Sequence, residues 1–224
     1  MRFARGTPWR LIGLNAAGVA IVWALAVAVV PAQGAWGGAP ARTTLLAVGS
    51  LGIFWVALLL AFFRDPDRQA GAGVVSPADG KVREAFAHGE MARVSIFLGV
   101  FDVHVIRAPF PCEVESLERR EGGRRPAYSK ESEFNERLVV RLKGAGEWVG
   151  TRIKLTLIAG AFADRIEPYV AAGQALQAGE RLGIIKFGSR TDLELEGAAV
   201  TLQVREGNTV KAAQSAVLKR GPPK

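Results

Sequence analysis

The sequence predicts an N-terminal hairpin of two transmembrane helices followed by one all-β domain of sandwich or barrel type. Two charge-free apolar runs and a series of short alternating segments further on carry that expectation. The first run, LIGLNAAGVAIVWALAVAVV, extends from Leu11 to Val30 and stops at Pro31; the second, TTLLAVGSLGIFWVALLLAFF, extends from Thr43 to Phe63 and stops at Arg64. About 20 residues at roughly 1.5 Å each cover the thickness of a hydrocarbon core. Spans of about 11–31 and 43–63 are therefore expected, within a hairpin of residues 1–63. Neither run has a polar face, which excludes a pair of amphipathic core helices.

The flanks set the orientation. Arg2, Arg5 and Arg10 precede the first span and Arg64 and Arg68 follow the second, whereas the connector carries only Arg42. The positive-inside rule then puts both ends in the cytoplasm, and Trp9, Trp36 and Trp55 suit the interfaces. From Arg64 onward 25 Lys and Arg stand against 21 Asp and Glu, a net charge of +4. Arg119, Arg120, Arg124 and Arg125 in LERREGGRR read equally well as a contact for anionic headgroups or as a solvated loop. No aromatic and basic interleaving accompanies the charge, so nucleic acid is not an expected partner. The single Cys112 excludes an internal disulfide and a multi-thiolate metal site.

RDPDRQAGAG, residues 64–73, is rich in charge, Pro and Gly and reads as a linker. Residues 74–224 then form the β domain. β-prone runs recur at Arg93–Leu98, Val103–Ile106, Leu138–Leu142, Arg152–Ile158, Leu182–Phe187, Leu193–Leu195 and Val200–Val204. Ile153, Leu155 and Leu157 alternate with Arg152, Lys154 and Thr156, the pattern of a strand with one buried face. Asp79-Gly80, Gly144–Gly146, Gly173, Gly179 and Gly207 punctuate the runs as turns, and one short helix is expected near residues 129–136.

Phosphate loops, HExxH and GxSxG are all missing, and the chain has two histidines, which excludes the common hydrolase and metalloenzyme classes. Three segments can carry chemistry instead: Ser76-Pro77-Ala78-Asp79-Gly80, Phe101-Asp102-Val103-His104-Val105-Ile106-Arg107, and Phe187-Gly188-Ser189-Arg190. Taken singly, each has a plain structural reading: a hairpin turn with glycine at positive φ, a core histidine in a strand, and a turn. His88 matches no pattern and reads as a loop residue.

In this order, behind two spans, the three segments resemble the short form of the phosphatidylserine decarboxylase proenzymes, a pyruvoyl-dependent family. The resemblance extends through FFRDPDR, SPADGKV, FDVHVIRAP, Asn135-Glu136-Arg137, Ile158-Ala159-Gly160 and GERLGIIKFGSRTDLELE. It implies a catalytic domain of barrel-sandwich type and self-cleavage between Gly188 and Ser189, giving a large and a small chain. Ser189 would attack the preceding carbonyl to make an ester, and elimination and hydrolysis would leave a pyruvoyl cofactor at the new N-terminus. That ketone can condense with the substrate amine and accept electrons as the carboxylate leaves.

The same resemblance assigns Ser189, His104 and Asp79 to catalysis, and the fork of donors on a guanidinium makes Arg107 or Arg190 a candidate partner for the lipid phosphate or carboxylate. Where longer forms carry a second histidine, this chain has Arg107, so the base for self-cleavage stays open between His104 and Asp79. The implied partners are phosphatidylserine and membrane lipid, at the cytoplasmic face of a bacterial-type inner membrane; a homo-oligomer is left open, and no metal is expected. The rival reading is a non-enzymatic biotinyl- or lipoyl-like β module acting as a membrane adaptor, suggested by GQALQAGERLGIIKF. A carrier of that kind needs an exposed acceptor lysine, usually between methionines, and Met1 and Met91 flank none.

The basic flanks generate a topology prediction. A cysteine placed at Gly37 should react with an impermeant thiol reagent on intact cells, and one at Gly71 should not. Reversed labelling would overturn the orientation.

Overall fold

The computed structural model describes residues 2–29, 38–123, 135–160, 166–186 and 189–221, in two compact units: Gly6–Arg64, and Asp65–Lys224 together with the first five residues. In the first unit, α1 (Trp9–Ala24) widens into a π-helical stretch, Leu25–Val29, and α2 runs over Gly38–Phe62. Trp9–Ala28 and Ala41–Phe62 are long and apolar enough to cross a membrane. Their apolar surface faces outward, with Leu14 74% and Leu51 69% exposed, unlike that of buried core helices. Val30, Pro31 and the Trp36 connector lie outside the described residues.

Small and polar residues inside these helices have local explanations. A Cβ on Gly49 would come within 2.4 Å of the Trp23 ring, and one on Gly52 within 2.4 Å of a Val19 methyl, so glycine lets the helices approach closely. Asn15 Nδ2 donates to the Leu11 carbonyl at 2.8 Å and Ser50 Oγ to the Leu46 carbonyl at 2.8 Å. Both polar groups are satisfied one turn back on their own helix, as an apolar surrounding requires.

Fourteen strands are found among the described residues of the second unit: β1 (Val74–Val75), β2 (Gly80–His88), β3 (Met91–Leu98), β4 (Val105–Arg107), β5 (Cys112–Arg120), β6 (Arg137–Gly144), β7 (Arg152–Ala159), β8 (Ile166–Pro168), β9 (Ala175–Leu176), β10 (Arg181–Ile185), β11 (Ser189–Glu196), β12 (Val200–Leu202), β13 (Thr209–Val210) and β14 (Ala216–Arg220). They pair antiparallel in three sheets. One has eight strands in the order β13-β2-β3-β11-β7-β6-β5-β9; the others are β1-β14-β12 and β4-β10-β8. A single apolar cluster fills the interior, from Val82, Val94 and Ile96 through Leu155 and Leu157 to Leu193 and Leu195, with Phe110 stacked on Trp148 at 5.5 Å. The unit is mostly β, as its alternating segments predict.

Several expectations need correction in detail. Asp79-Gly80 is not a hairpin turn: Gly80 opens β2 at φ 143, and a Cβ there would lie 2.1 Å from the Phe97 carbonyl oxygen. Glycine is needed for that close approach to β3. Arg119 and Arg120 end a strand instead of lying in a solvated loop, and Arg119 donates to Glu136 and to the Ile166 carbonyl, both at 2.6 Å. His88 ends β2 opposite Met91. Asn135 sits in a bridge with Gly123 and Arg137 begins β6; the rest of the expected helix, like Arg124 and Arg125, lies outside the described residues.

The stretch expected as a linker is held against the β unit from Asp65 onward. The Asp65 amide donates to the Arg2 carbonyl at 2.9 Å, the Gly71 amide to the Ala213 carbonyl at 2.8 Å, and the acids and Arg68 are all in ion pairs. Their partners are up to 116 residues away in sequence, so only the hydrophilic composition is visible locally.

Cys112 lies in the core at the start of β5, and burial, with the Glu180 carboxylate adding, pushes its thiol up to about 12. A raised pKa in the folded state contributes stability that is complete below the unfolded value, near 9.0, and is lost as pH climbs toward about 12. The native chain should therefore resist Ellman's reagent at pH 8 and react once unfolded, and its denaturation midpoint should fall above pH 9 more steeply than that of Cys112→Ala. Rapid reaction of the native thiol at pH 8 would contradict the burial.

Candidate active site

Ser189 opens β11 at the centre of the large sheet, opposite Leu98 of β3 on one side and Ala159 of β7 on the other. Alternation along a strand turns it to the same face as Thr191, Leu193 and Leu195, which is the core face. Its side chain is fully buried, and its Oγ has no hydrogen-bond partner among the described residues. A buried hydroxyl left unpaired costs about 1–3 kcal/mol. Thr191 Oγ1 and Thr151 Oγ1 are likewise without a partner among the described residues. Phe187 and Gly188 lie outside the described residues.

His104 precedes β4 and is completely buried. Its Nδ1 is 2.9 Å from the Asp102 carbonyl oxygen. A carbonyl can only accept, so Nδ1 carries the proton, and in the neutral ring Nε2 is the basic nitrogen. Asp102 is itself fixed: its carboxylate accepts from the Gly99 amide at 2.8 Å, and its amide donates to the Gly99 carbonyl at 3.0 Å. The fold brings His104 and Ser189 to the same end of the sheet by two routes. Leu98, the residue before this turn, is the register partner of Ser189, and the Ile185 amide, four residues before Ser189, donates to the His104 carbonyl at 3.2 Å.

Asp79 lies in the loop before β2, with its carboxylate enclosed by donors. Arg68 grips both oxygens, with Nη2 to Oδ2 at 2.8 Å, and the Ala212 amide donates to Oδ1 at 2.8 Å. Arg68 also donates to the Ala212 carbonyl at 2.9 Å, closing a ring of contacts. The neighbouring Ala213 is at φ 64, a left-handed conformation that alanine rarely adopts, and hydrogen bonds from the Gly71 amide and to the Ser76 carbonyl hold it there. A carboxylate whose lone pairs are this fully engaged suits orienting a loop better than accepting a proton.

The two arginines are not brought together with Ser189. Arg107 is buried, with Nη2 on Asp65 Oδ1 at 2.6 Å and on the Pro66 carbonyl at 2.9 Å, and Nη1 on the Gly179 carbonyl at 2.9 Å. Burial lowers its pKa against the opposing pull of Asp65. Arg190 is on the other face of β11 from Ser189, making a bidentate pair with Asp192, with Nε at 2.8 Å and Nη2 at 2.6 Å. Asp192 also accepts from Ser95 at 2.6 Å and Arg93 at 3.2 Å, in a charged network on that face.

Three participants are not singled out by sequence reasoning. Arg68 and Asp65 fall in a segment that looks like linker, and their place in FFRDPDR, which shares in the family resemblance, is the signal that could have found them. Asn135 is buried, and its Nδ2 donates to the Ala159 carbonyl at 2.7 Å while the Ala159 amide donates to the Glu136 carbonyl at 3.0 Å. It thereby anchors the end of β7 beside Ser189. Its place in the Asn135-Glu136-Arg137 segment is the signal that could have found it.

Comparison with known proteins converges on one family. The family model described as phosphatidylserine decarboxylase matches residues 55–218. A protein of Halobacterium salinarum named "Putative archaetidylserine decarboxylase proenzyme" is 47% identical over 171 residues, covering 75% of this chain and 83% of the relative. A phosphatidylserine decarboxylase proenzyme of Streptomyces griseus is 41% identical over 93% of this chain and 90% of its own length. That of Solibacter usitatus is 40% identical over 89% and 94%. With the family model spanning most of the β unit and the relatives most of the chain, the protein belongs to the phosphatidylserine decarboxylase family of enzymes.

Proposed function

We propose that this chain is a membrane-anchored, self-processing decarboxylase that converts phosphatidylserine to phosphatidylethanolamine. One observation carries the reading: the hydroxyl of Ser189, at the position of the expected cleavage, is buried and unpaired at the end of the sheet to which His104 is also tied. The names of the relatives supply the substrate class, a phospholipid with a serine headgroup. The two apolar helices fit an enzyme whose substrate stays in the bilayer, with the β unit on the cytoplasmic side as the basic flanks suggest.

The same hydroxyl is the test of fit for a pyruvoyl group. A side chain destined to become part of a cofactor gains nothing from a permanent hydrogen bond, and Ser189 Oγ has none among the described residues. In self-cleavage, His104 Nε2 takes the Ser189 proton, Oγ attacks the Gly188 carbonyl carbon, and the peptide C–N bond gives way to an ester as the nitrogen is protonated. Loss of the serine α-proton then expels the Gly188 carboxylate, and water converts the resulting dehydroalanine to the pyruvoyl group with release of ammonia. That group supplies the electron sink for decarboxylation. His104 returns a proton to the carbon that has lost CO2, and Asp79, bound by Arg68 and the Ala212 amide, keeps its loop in place. Arg107, enclosed by Asp65 and two carbonyls, acts on the scaffold and not on the lipid.

Intact mass tests the central step. The wild type should separate into residues 1–188 and a 36-residue fragment, 189–224, with a blocked N-terminus, and Ser189→Ala should remain one chain. An uncut wild type with full activity would remove the reading. His104→Ala should leave the precursor uncut and so without decarboxylation, and any fraction that does cleave should turn over about 10²–10⁴-fold more slowly, the usual worth of a general acid. Asp79→Asn should cleave slowly but completely; a complete block would make Asp79 the base.

A further inference from the structure

We infer that Asp65 is a positioning residue for self-cleavage, setting the register between the strand that follows His104 and the strand that leads to Gly188-Ser189. The inference rests on the self-cleavage proposed above and adds a determinant to it.

β4 and β10 pair through three register positions: Arg181 opposite Arg107, Gly183 opposite Ile106, and Ile184 opposite Val105. Two features make this register weak. A bulge interrupts it between Arg181 and Gly183, and the first pair sets two like charges directly opposite each other, which is destabilising in a sheet. In most sheets the alternation of buried and exposed residues prevents a slip of one residue. Here it cannot, because Val105, Ile106 and Arg107 are all buried and β10 is buried from Leu182 to Ile185.

Backbone bonds continue the pairing past the bulge, from the Ala108 amide to the Glu180 carbonyl at 2.7 Å and from the Gly179 amide to the Ala108 carbonyl at 2.8 Å, and Asp65 adds a side-chain clamp at that same end. Its Oδ1 takes Arg107 Nη2 at 2.6 Å and its Oδ2 takes Arg181 Nε, so one buried carboxylate bridges the opposed arginines. The two guanidiniums can share it only while Arg107 and Arg181 stay opposite. Asp67 takes up part of the remaining positive charge, accepting from Arg181 Nη2 at 3.1 Å.

The register so fixed is the one in which the Ile185 amide meets the His104 carbonyl at 3.2 Å. A slip of one residue would move His104 by about 3.4 Å along β10. Proton transfer needs its partners within about 2.6–3.2 Å, and a misplacement of about 1 Å can cost about 10²-fold in rate.

The experiment uses the full-length chain. Asp65→Asn should slow conversion to the two fragments by at least about 10-fold, as read by intact mass over time. In a Ser189→Ala background, where no cleavage intervenes, the same change should speed hydrogen exchange of the Ile185 amide at least about 10-fold more than that of the Leu193 amide in β11, which reports the global loss of stability. Removing one of the opposed charges should partly restore both properties, so Asp65→Asn with Arg181→Gln should cleave faster than Asp65→Asn alone.

If Asp65→Asn does not fold, the double variant decides: folding and cleaving supports the inference, and folding without cleaving overturns it. If neither folds, Arg181→Gln alone decides: it removes the bridge to β10, so in the folded protein Ile185 exchange should quicken and cleavage should slow by at least about 3-fold, and wild-type values for both overturn it. Normal cleavage by a folded Asp65→Asn also overturns it. A wild type that never cleaves would defeat the proposed function, while Ile185 exchange would still decide the register.

Discussion

The shared carboxylate of Asp65 is the constraint on which the arrangement of the site depends. A buried arginine, Arg107, cannot face the half-buried Arg181 across a pair of strands without an anion between them, since an unpaired buried charge costs far more than a short strand pairing returns. Removing one partner of such a pair typically destabilises by about 3–5 kcal/mol. The anion comes from the segment next to the apolar helices in sequence, and three residues later Arg68 reaches Asp79. One short stretch of chain therefore holds two of the three segments that the family resemblance marks as chemical, and through β10 it bears on the third.

β11 divides its residues between two environments. Ser189 and Thr191 turn toward the core, where neither hydroxyl has a partner among the described residues, whereas Arg190 and Asp192 turn to a charged network on the opposite face. Dry surroundings strengthen the few hydrogen bonds that a reacting group makes and exclude competing water. An amide about to rearrange to an ester needs that protection, because the ester is easily hydrolysed. The network around Asp192 has a different physical role, holding β3 to β11 from the outer face through Ser95 and Arg93.

The helical unit follows other rules. Its stability cannot come from burying apolar side chains in water, since most of them face outward; it comes from close packing at Gly49 and Gly52 and from the satisfaction of Asn15 and Ser50 within their own helices. These devices suit a lipid surrounding, consistent with the work proposed for the β unit.

Periodicity by itself determined the two apolar helices and the strands with one wet face, such as β7 and much of β11, because the pattern of burial is written directly in neighbouring residues. It missed seven strands among the described residues: β2, where Asp79-Gly80 looks like a turn, β5, whose end in LERREGGRR looks like a loop, β14, and the short β1, β8, β9 and β13. The chemically marked residues Ser189, His104 and Asp79 were legible as an ordered set of motifs. What the tertiary structure decided was the partners: that Asp79 is gripped by Arg68, that Arg107 serves Asp65, that Arg190 turns away from Ser189, and that residues 65–73 belong to the β unit. Local sequence shows that a residue is charged. Only the folded chain shows which opposite charge, 11 or 116 residues away, lies within 3 Å of it.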